Sequence, residues 1–134
     1  MKIAVIHNRV AAADSPDARD VLQQVAVVSE ALASLGHEVV RRSCDLNLEA
    51  AHRELAVARP DLVFNLVEEL AGFGRLIHLF PSLLDALRIP YSGAPAEAIF
   101  LTSNKVLAKE RLQQAGLPTP AWAGPWPAAG TERR

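Results

Sequence analysis

A carboxylate pair, Glu68-Glu69, stands just past the short apolar run Leu62-Val63-Phe64 and the polar residue that closes it, Asn65. A run of that length and character suits a strand buried on both faces. In an open α/β sheet, ligands bind in the crevice beyond the carboxyl ends of the strands. A carboxylate at such an end can hold the ammonium of a small substrate; the alternative is a solvated loop. His7 and Asn8 close an earlier apolar run, and Tyr91-Ser92-Gly93 follows Pro90, so both groups fall near the same kind of edge. The expected crevice is lined by His7, Asn8, Asn65, Glu68 and the loop 72–74, with Tyr91, Ser92 and Gly93 beside it.

Other chemistry-bearing residues are sparser. Lys105 and Lys109 are four apart and share a helical face. That spacing makes a solvated face, or a contact for phosphate near a helix N-terminus. His7, His37, His52 and His78 lack metal-ligand spacing. Cys44 has no nearby base and reads as a small buried apolar residue. The first turn, from His7 through Ala18, contains no glycine, which argues against a dinucleotide fingerprint, and no P-loop occurs. A phosphorylatable receiver aspartate is also missing: Asp61 lies at the wrong end of its strand.

The elements that must position these groups follow from periodicity. Residues 2–7 form an apolar, β-branched strand. Residues 8–19 read as a polar loop. Val21, Leu22, Val25, Val28, Leu32 and Leu35 then recur at three and four, an amphipathic helix ended by Gly36. Residues 37–42 are a second strand, 47–58 a helix stopped at Arg59-Pro60, and 61–66 the third strand. Pro81 opens a helix over 82–88, and 90–92 is a fourth strand. The stretch 95–100 precedes a helix over 102–115, capped by Thr102 or Ser103. Such alternation predicts an open parallel sheet of about four strands, near 2–7, 37–42, 61–66 and 90–92, with helices on both faces.

Totals narrow the class. The chain has 134 residues, 50% apolar and 22% charged, with a formal net charge of -1. That is a globular domain with no basic footprint for nucleic acid or an anionic membrane. One cysteine and no signal peptide or transmembrane run point to the cytoplasm.

Four stretches occur in order at suitable spacing: Phe64-Asn65-Leu66-Val67-Glu68, Ile89-Pro90-Tyr91-Ser92-Gly93, Asn104-Lys105 with Lys109, and Ala115-Gly116-Leu117-Pro118-Thr119-Pro120. Together with residues 32–39, LASLGHEV, they resemble the N-terminal, pre-ATP-grasp domain of a D-alanine–D-alanine ligase or a related ATP-grasp ligase. The resemblance covers essentially the whole chain. It implies a Rossmann-like domain, residues 1–117, that binds the first amino-acid substrate, and a Pro-rich tail, 118–134, where the family's ATP-binding domain would begin. It implies ATP and Mg²⁺ as cofactors of the complete enzyme, with neither held tightly by this chain alone. Lys105 matches the family's lysine on the nucleotide phosphates. No catalytic residue and no metal ligand is assigned here.

Two features depart from the family. The first loop carries Asp14, Asp17 and Asp20 where D-alanine ligases have glycines and a glutamate, and Glu69 stands where relatives commonly have glycine. The chain also stops just after Pro120. Two readings remain: a fragment or split half of a ligase, inactive alone, or a stand-alone ligand-binding, regulatory or dimerisation module. Expected partners are a second copy, a separate ATP-grasp chain and an amino-acid-like substrate.

Overall fold

The computed structural model describes residues 1–10 and 16–122; the side chains of 16–19 are outside it, as are Asp14 and the tail from 123. Three strands, β1 (Lys2–Asn8), β2 (Glu38–Cys44) and β3 (Leu62–Leu66), form one parallel sheet in the order β2-β1-β3. Asn8 pairs with Cys44 and His7 with Leu66, so all three carboxyl ends reach one edge.

The chain winds both ways from β1. Helix α1 (Pro16–Ser34) returns it to β2, and α2 (Leu48–Ala58) carries it back across to β3. Right-handed crossovers in opposite directions place α1 and α2 on opposite faces. β1 is therefore the central strand, and Ile3, Ala4, Val5 and Ile6 are all buried. Their alternation sends Ala4 and Ile6 to the face where Leu55, Val63, Phe80 and Leu84 form the main core. Ile3 and Val5 face α1, which presents Val21 and Val25. Both valines are weak helix formers, so packing rather than propensity holds this helix. Buried Ser29 satisfies its hydroxyl by donating to the Val25 carbonyl at 2.6 Å.

Several boundaries differ from the expectation. Helix α1 begins at Pro16, inside what reads as a polar loop, because proline suits the first helical position, where no N–H is needed. Likewise α3 (Leu79–Leu87) begins two residues before Pro81, which sits harmlessly in the first turn. A short 3₁₀ turn, Gly74–Leu76, precedes it.

The fourth strand is reduced to one bridge, Tyr91 beside Val63. Val63 N–H donates to the Pro90 carbonyl at 2.8 Å, and Ser92 N–H donates to the Val63 carbonyl at 2.9 Å. Gly93 then turns to φ 100°, which ends the ladder after one residue.

The expected helix over 102–115 is two helices, α4 (Ala96–Ser103) and α5 (Lys105–Gln114). Neither Thr102 nor Ser103 caps α5. Their hydroxyls donate back to the Ala98, Ile99 and Phe100 carbonyls. Asn104 is the cap: extended at φ -103°, it accepts from the Val106 and Leu107 N–H groups at 3.1 and 3.2 Å. Asn104→Ala should therefore cost about 1 kcal/mol in a denaturant titration, and Thr102→Ala clearly less. Equal losses would remove the assignment.

Candidate functional site

A polar cleft opens at the carboxyl ends of β1 and β2, walled on the other side by the segment after β3. Asn8, Arg9, Cys44, Asp45, Glu69, Ala71 and Gly72 line it. It thus lies between the first two strand ends and the 69–72 loop, where the expectation had placed it at strands one and three.

Asn8 is 5% exposed, and its side-chain oxygen accepts from the Glu68 N–H at 3.4 Å. This contact ties β1 to the loop. Arg9 N–H donates to the Cys44 carbonyl at 2.8 Å, holding the residue after β1 beside the end of β2. The Arg9 guanidinium then reaches Asp45 at 3.1 Å across the cleft mouth. Buried Leu70 anchors the opposite wall, exchanging backbone hydrogen bonds with Phe73 at 3.4 and 3.1 Å. The turn between them places Ala71 at φ 52° and Gly72 at φ 78°. A non-glycine residue in that region carries strain, and the neighbouring hydrogen bonds hold it there.

The two glutamates diverge. Glu68 is exposed, and its carboxylate accepts from the Gln24 side chain of α1 at 3.4 Å. Glu69 is half-buried and lines the cleft. His7 sits at the strand end with Nδ1 2.8 Å from the Asn8 carbonyl. The Asn65 side chain is spent locally on the Val67 N–H at 3.1 Å. The Ser92 hydroxyl accepts from the Asn65 N–H at 3.0 Å, which makes it a strut for β3. Tyr91 turns to α3, donating to Asp85 at 2.9 Å. Burial, and next that hydrogen bond, raise its phenol above the usual value. Gly93 is exposed. So Asn8 lies in the cleft, His7 and Glu68 flank it, and the other predicted residues brace the sheet beside it.

Lys105 stands apart from this cleft, exposed at the start of α5, a helix that packs chiefly on α4. Asn104 already takes two of the N–H groups that would otherwise meet an anion. The helix start therefore offers a phosphate the Lys105 ammonium and little else. Lys109 is occupied, donating to the Thr119 hydroxyl at 3.2 Å and the Pro120 carbonyl at 3.0 Å. It pins the segment after Gly116 back onto α5. Among the described residues no three His, Cys, Asp or Glu side chains gather as metal ligands. These residues fit one edge of a nucleotide-phosphate site and do not fit a complete one.

Sequence reasoning passed over Arg9 and Asp45. The signal was available only through the length of β2, which runs to Cys44 and so delivers Asp45 to the edge. Cys44, 2% exposed at the cleft floor, is no nucleophile: burial first, then Asp45 and Glu54, push its thiol from 9.0 to about 12. The folded state favours the neutral thiol. Its contribution to stability is full below pH 9.0 and is lost as pH rises toward about 12. Urea midpoints should accordingly fall over that range, and the fall should flatten in Cys44→Ala. An unchanged slope would sink the argument.

No protein-family model matches the chain. A D-alanine–D-alanine ligase of Moorella thermoacetica is 36% identical over 127 residues, which are 92% of this chain and 38% of that protein. The chain is homologous to the N-terminal part of D-alanine–D-alanine ligases. The solved D-alanine–D-alanine ligase of Bacillus anthracis superposes with a TM-score of 0.70 at 21% identity, over 92% of this chain and 38% of that one. Its structure complexed with ATP gives 0.60 at 23% identity, over 92% and 39%. At those identities the likeness shows the fold, a Rossmann-like α/β domain. The ligase-like chain spans well under half the length of these relatives. No described helix is long and apolar enough to cross a membrane.

Proposed function

We propose that this chain is the substrate-binding N-terminal domain, residues 1–117, of an ATP-dependent ligase that joins a carboxylate to an amine. The observation that carries the reading is its match, over 92% of its length, to a ligase more than twice as long. ATP would activate the carboxylate as an acyl phosphate, with Mg²⁺ stabilising the transferring group. This chain's own residues would do less: the strand-end cleft holds the amino acid, and Lys105 lends charge to the phosphates. The remaining nucleotide site and the metal carboxylates would come from the region after Pro120 or from a separate chain. The test is to mix this chain with the part of the Moorella thermoacetica ligase that it does not match. Amino-acid-dependent ADP release supports the reading, and none across a panel of amino and hydroxy acids overturns it.

We also propose a cytoplasmic protein that self-associates through its helices. Val27, Ala31 and Leu35 share one outward stripe of α1, with Val27 62% and Leu35 72% exposed. Glu30 is the only charged residue from Val21 to Leu35. A stripe of that kind favours a second copy as its cover. Light scattering should give a dimer that Val27→Glu converts to a monomer; a clean monomer at high concentration rules this out.

A further inference from the structure

The strand-end cleft carries both signs of charge on opposite walls. On the β1–β2 side, Arg9 makes one ion-pair contact with Asp45, at 3.1 Å. Its side chain is 68% exposed, so most of the donor fork stays open to the cleft. On the far side stands the half-buried carboxylate of Glu69, for which no ion pair is found among the described residues. The wall bearing it is fixed: Leu70 is 1% exposed, and Ala71 is held at positive φ. Between the walls lies Asn8, itself anchored to the Glu68 N–H. A guanidinium facing a fixed carboxylate across a narrow polar cleft matches a small zwitterion, because each end of the ligand meets the opposite charge.

We infer that this cleft is a subsite for a free α-amino acid, with Arg9 receiving the carboxylate and Glu69 the ammonium. The inference rests on the ligase reading for its amino-acid class and moves the ammonium contact from Glu68 to Glu69. Asp45 acts as the resting partner of Arg9: it holds the guanidinium at the cleft mouth and competes with the incoming carboxylate. A ligand with only one of the two charges therefore binds poorly. An amine alone leaves Arg9 with Asp45, and a carboxylate alone must displace Asp45 while facing Glu69.

The experiment is an NMR titration of the 134-residue chain with D-alanine, L-alanine, lactate and ethylamine. Alanine, as at least one enantiomer, should shift the Arg9, Glu69 and Gly72 amides and the Arg9 Nε–H. Lactate and ethylamine should bind about tenfold more weakly or worse. Arg9→Gln should erase the advantage of alanine over ethylamine, and Glu69→Gln its advantage over lactate. Asp45→Asn frees Arg9 and should strengthen lactate binding, a gain that misfolding cannot imitate. Shifts confined to another surface, no shift up to about 100 millimolar alanine, or weaker lactate binding in Asp45→Asn each overturn the inference. The titration involves no turnover, so it fails separately from the ligase reading. ADP release restored by the complementary part but indifferent to Arg9→Gln and Glu69→Gln overturns this subsite alone. Alanine shifts in the cleft without any ADP release keep the subsite and overturn the ligase reading.

Discussion

Phe80→Ala should destabilise this domain by about 3–5 kcal/mol. Phe80 is fully buried on α3, in the cluster that joins Ala4 and Ile6 of β1, Leu55 of α2 and Val63 of β3. Its ring is the largest group holding the α2–α3 layer to the sheet. The site also has little capacity to collapse. A small apolar void already lies between the sheet and α2, lined by Ala4, Ile6, Leu55 and Phe80. Truncation enlarges that void, so the cost combines lost transfer energy with unfilled space. Domains have only about 5–15 kcal/mol to lose. At about 4 °C per kcal/mol, the melting temperature should fall by roughly 10–20 °C. Val57→Ala is the control: Val57 is 85% exposed, and its loss should stay within about 0.5 kcal/mol. Urea midpoints at constant slope decide the matter. A loss under about 1 kcal/mol for Phe80→Ala would mean the two layers do not share this core.

How far the sequence foretold this arrangement depends on which forces set each element. β1 was legible because a central strand needs apolar residues on both faces, and residues 3–6 are apolar without interruption. The α/β alternation and the doubly covered sheet followed from that. The fourth strand was not legible, because its extent is fixed by hydrogen bonding to Val63 and not by side-chain pattern: Tyr91 pairs, and Gly93 leaves. The break at Asn104 was hidden by competing caps. Thr102, Ser103 and Asn104 all suit the position, and tertiary placement of α4 turned the first two hydroxyls backward. The candidate site was half legible. Composition marked the acidic loop, but which glutamate enters the cleft depends on the turn at Ala71-Gly72. Arg9 and Asp45 became neighbours only through the Asn8–Cys44 register. Register is a long-range property, and no local spacing encodes it.

The 134-residue chain alone should release no ADP with any amino acid, and its complemented form should lose activity sharply on Lys105→Ala. Phosphoryl transfer needs a placed metal and a site closed to water. Among the described residues no carboxylate group is arranged to hold that metal. What the chain offers phosphate is the exposed Lys105 ammonium, because Asn104 has taken the Val106 and Leu107 N–H groups. One point charge on a flexible stem binds ATP at about millimolar strength or worse, near 4 kcal/mol. Once a partner encloses the phosphates, the same charge sits in a drier site and gains strength there. Removing it should then lower kcat/KM by about 10²–10³-fold, as loss of a single preorganised donor does elsewhere. Asn104→Ala separates the helix cap from the lysine: it should weaken α5 yet leave Lys105 able to act, so its kinetic loss should be much smaller. The readout is coupled ADP release for wild type, Lys105→Ala and Asn104→Ala, each with and without the complementary ATP-binding part. Equal losses in the two variants would mean that the α5 fold matters and the Lys105 charge does not. Amino-acid-dependent ADP release from the unmixed chain would place the catalytic groups within these 134 residues and overturn the assignment of chemistry to its partner.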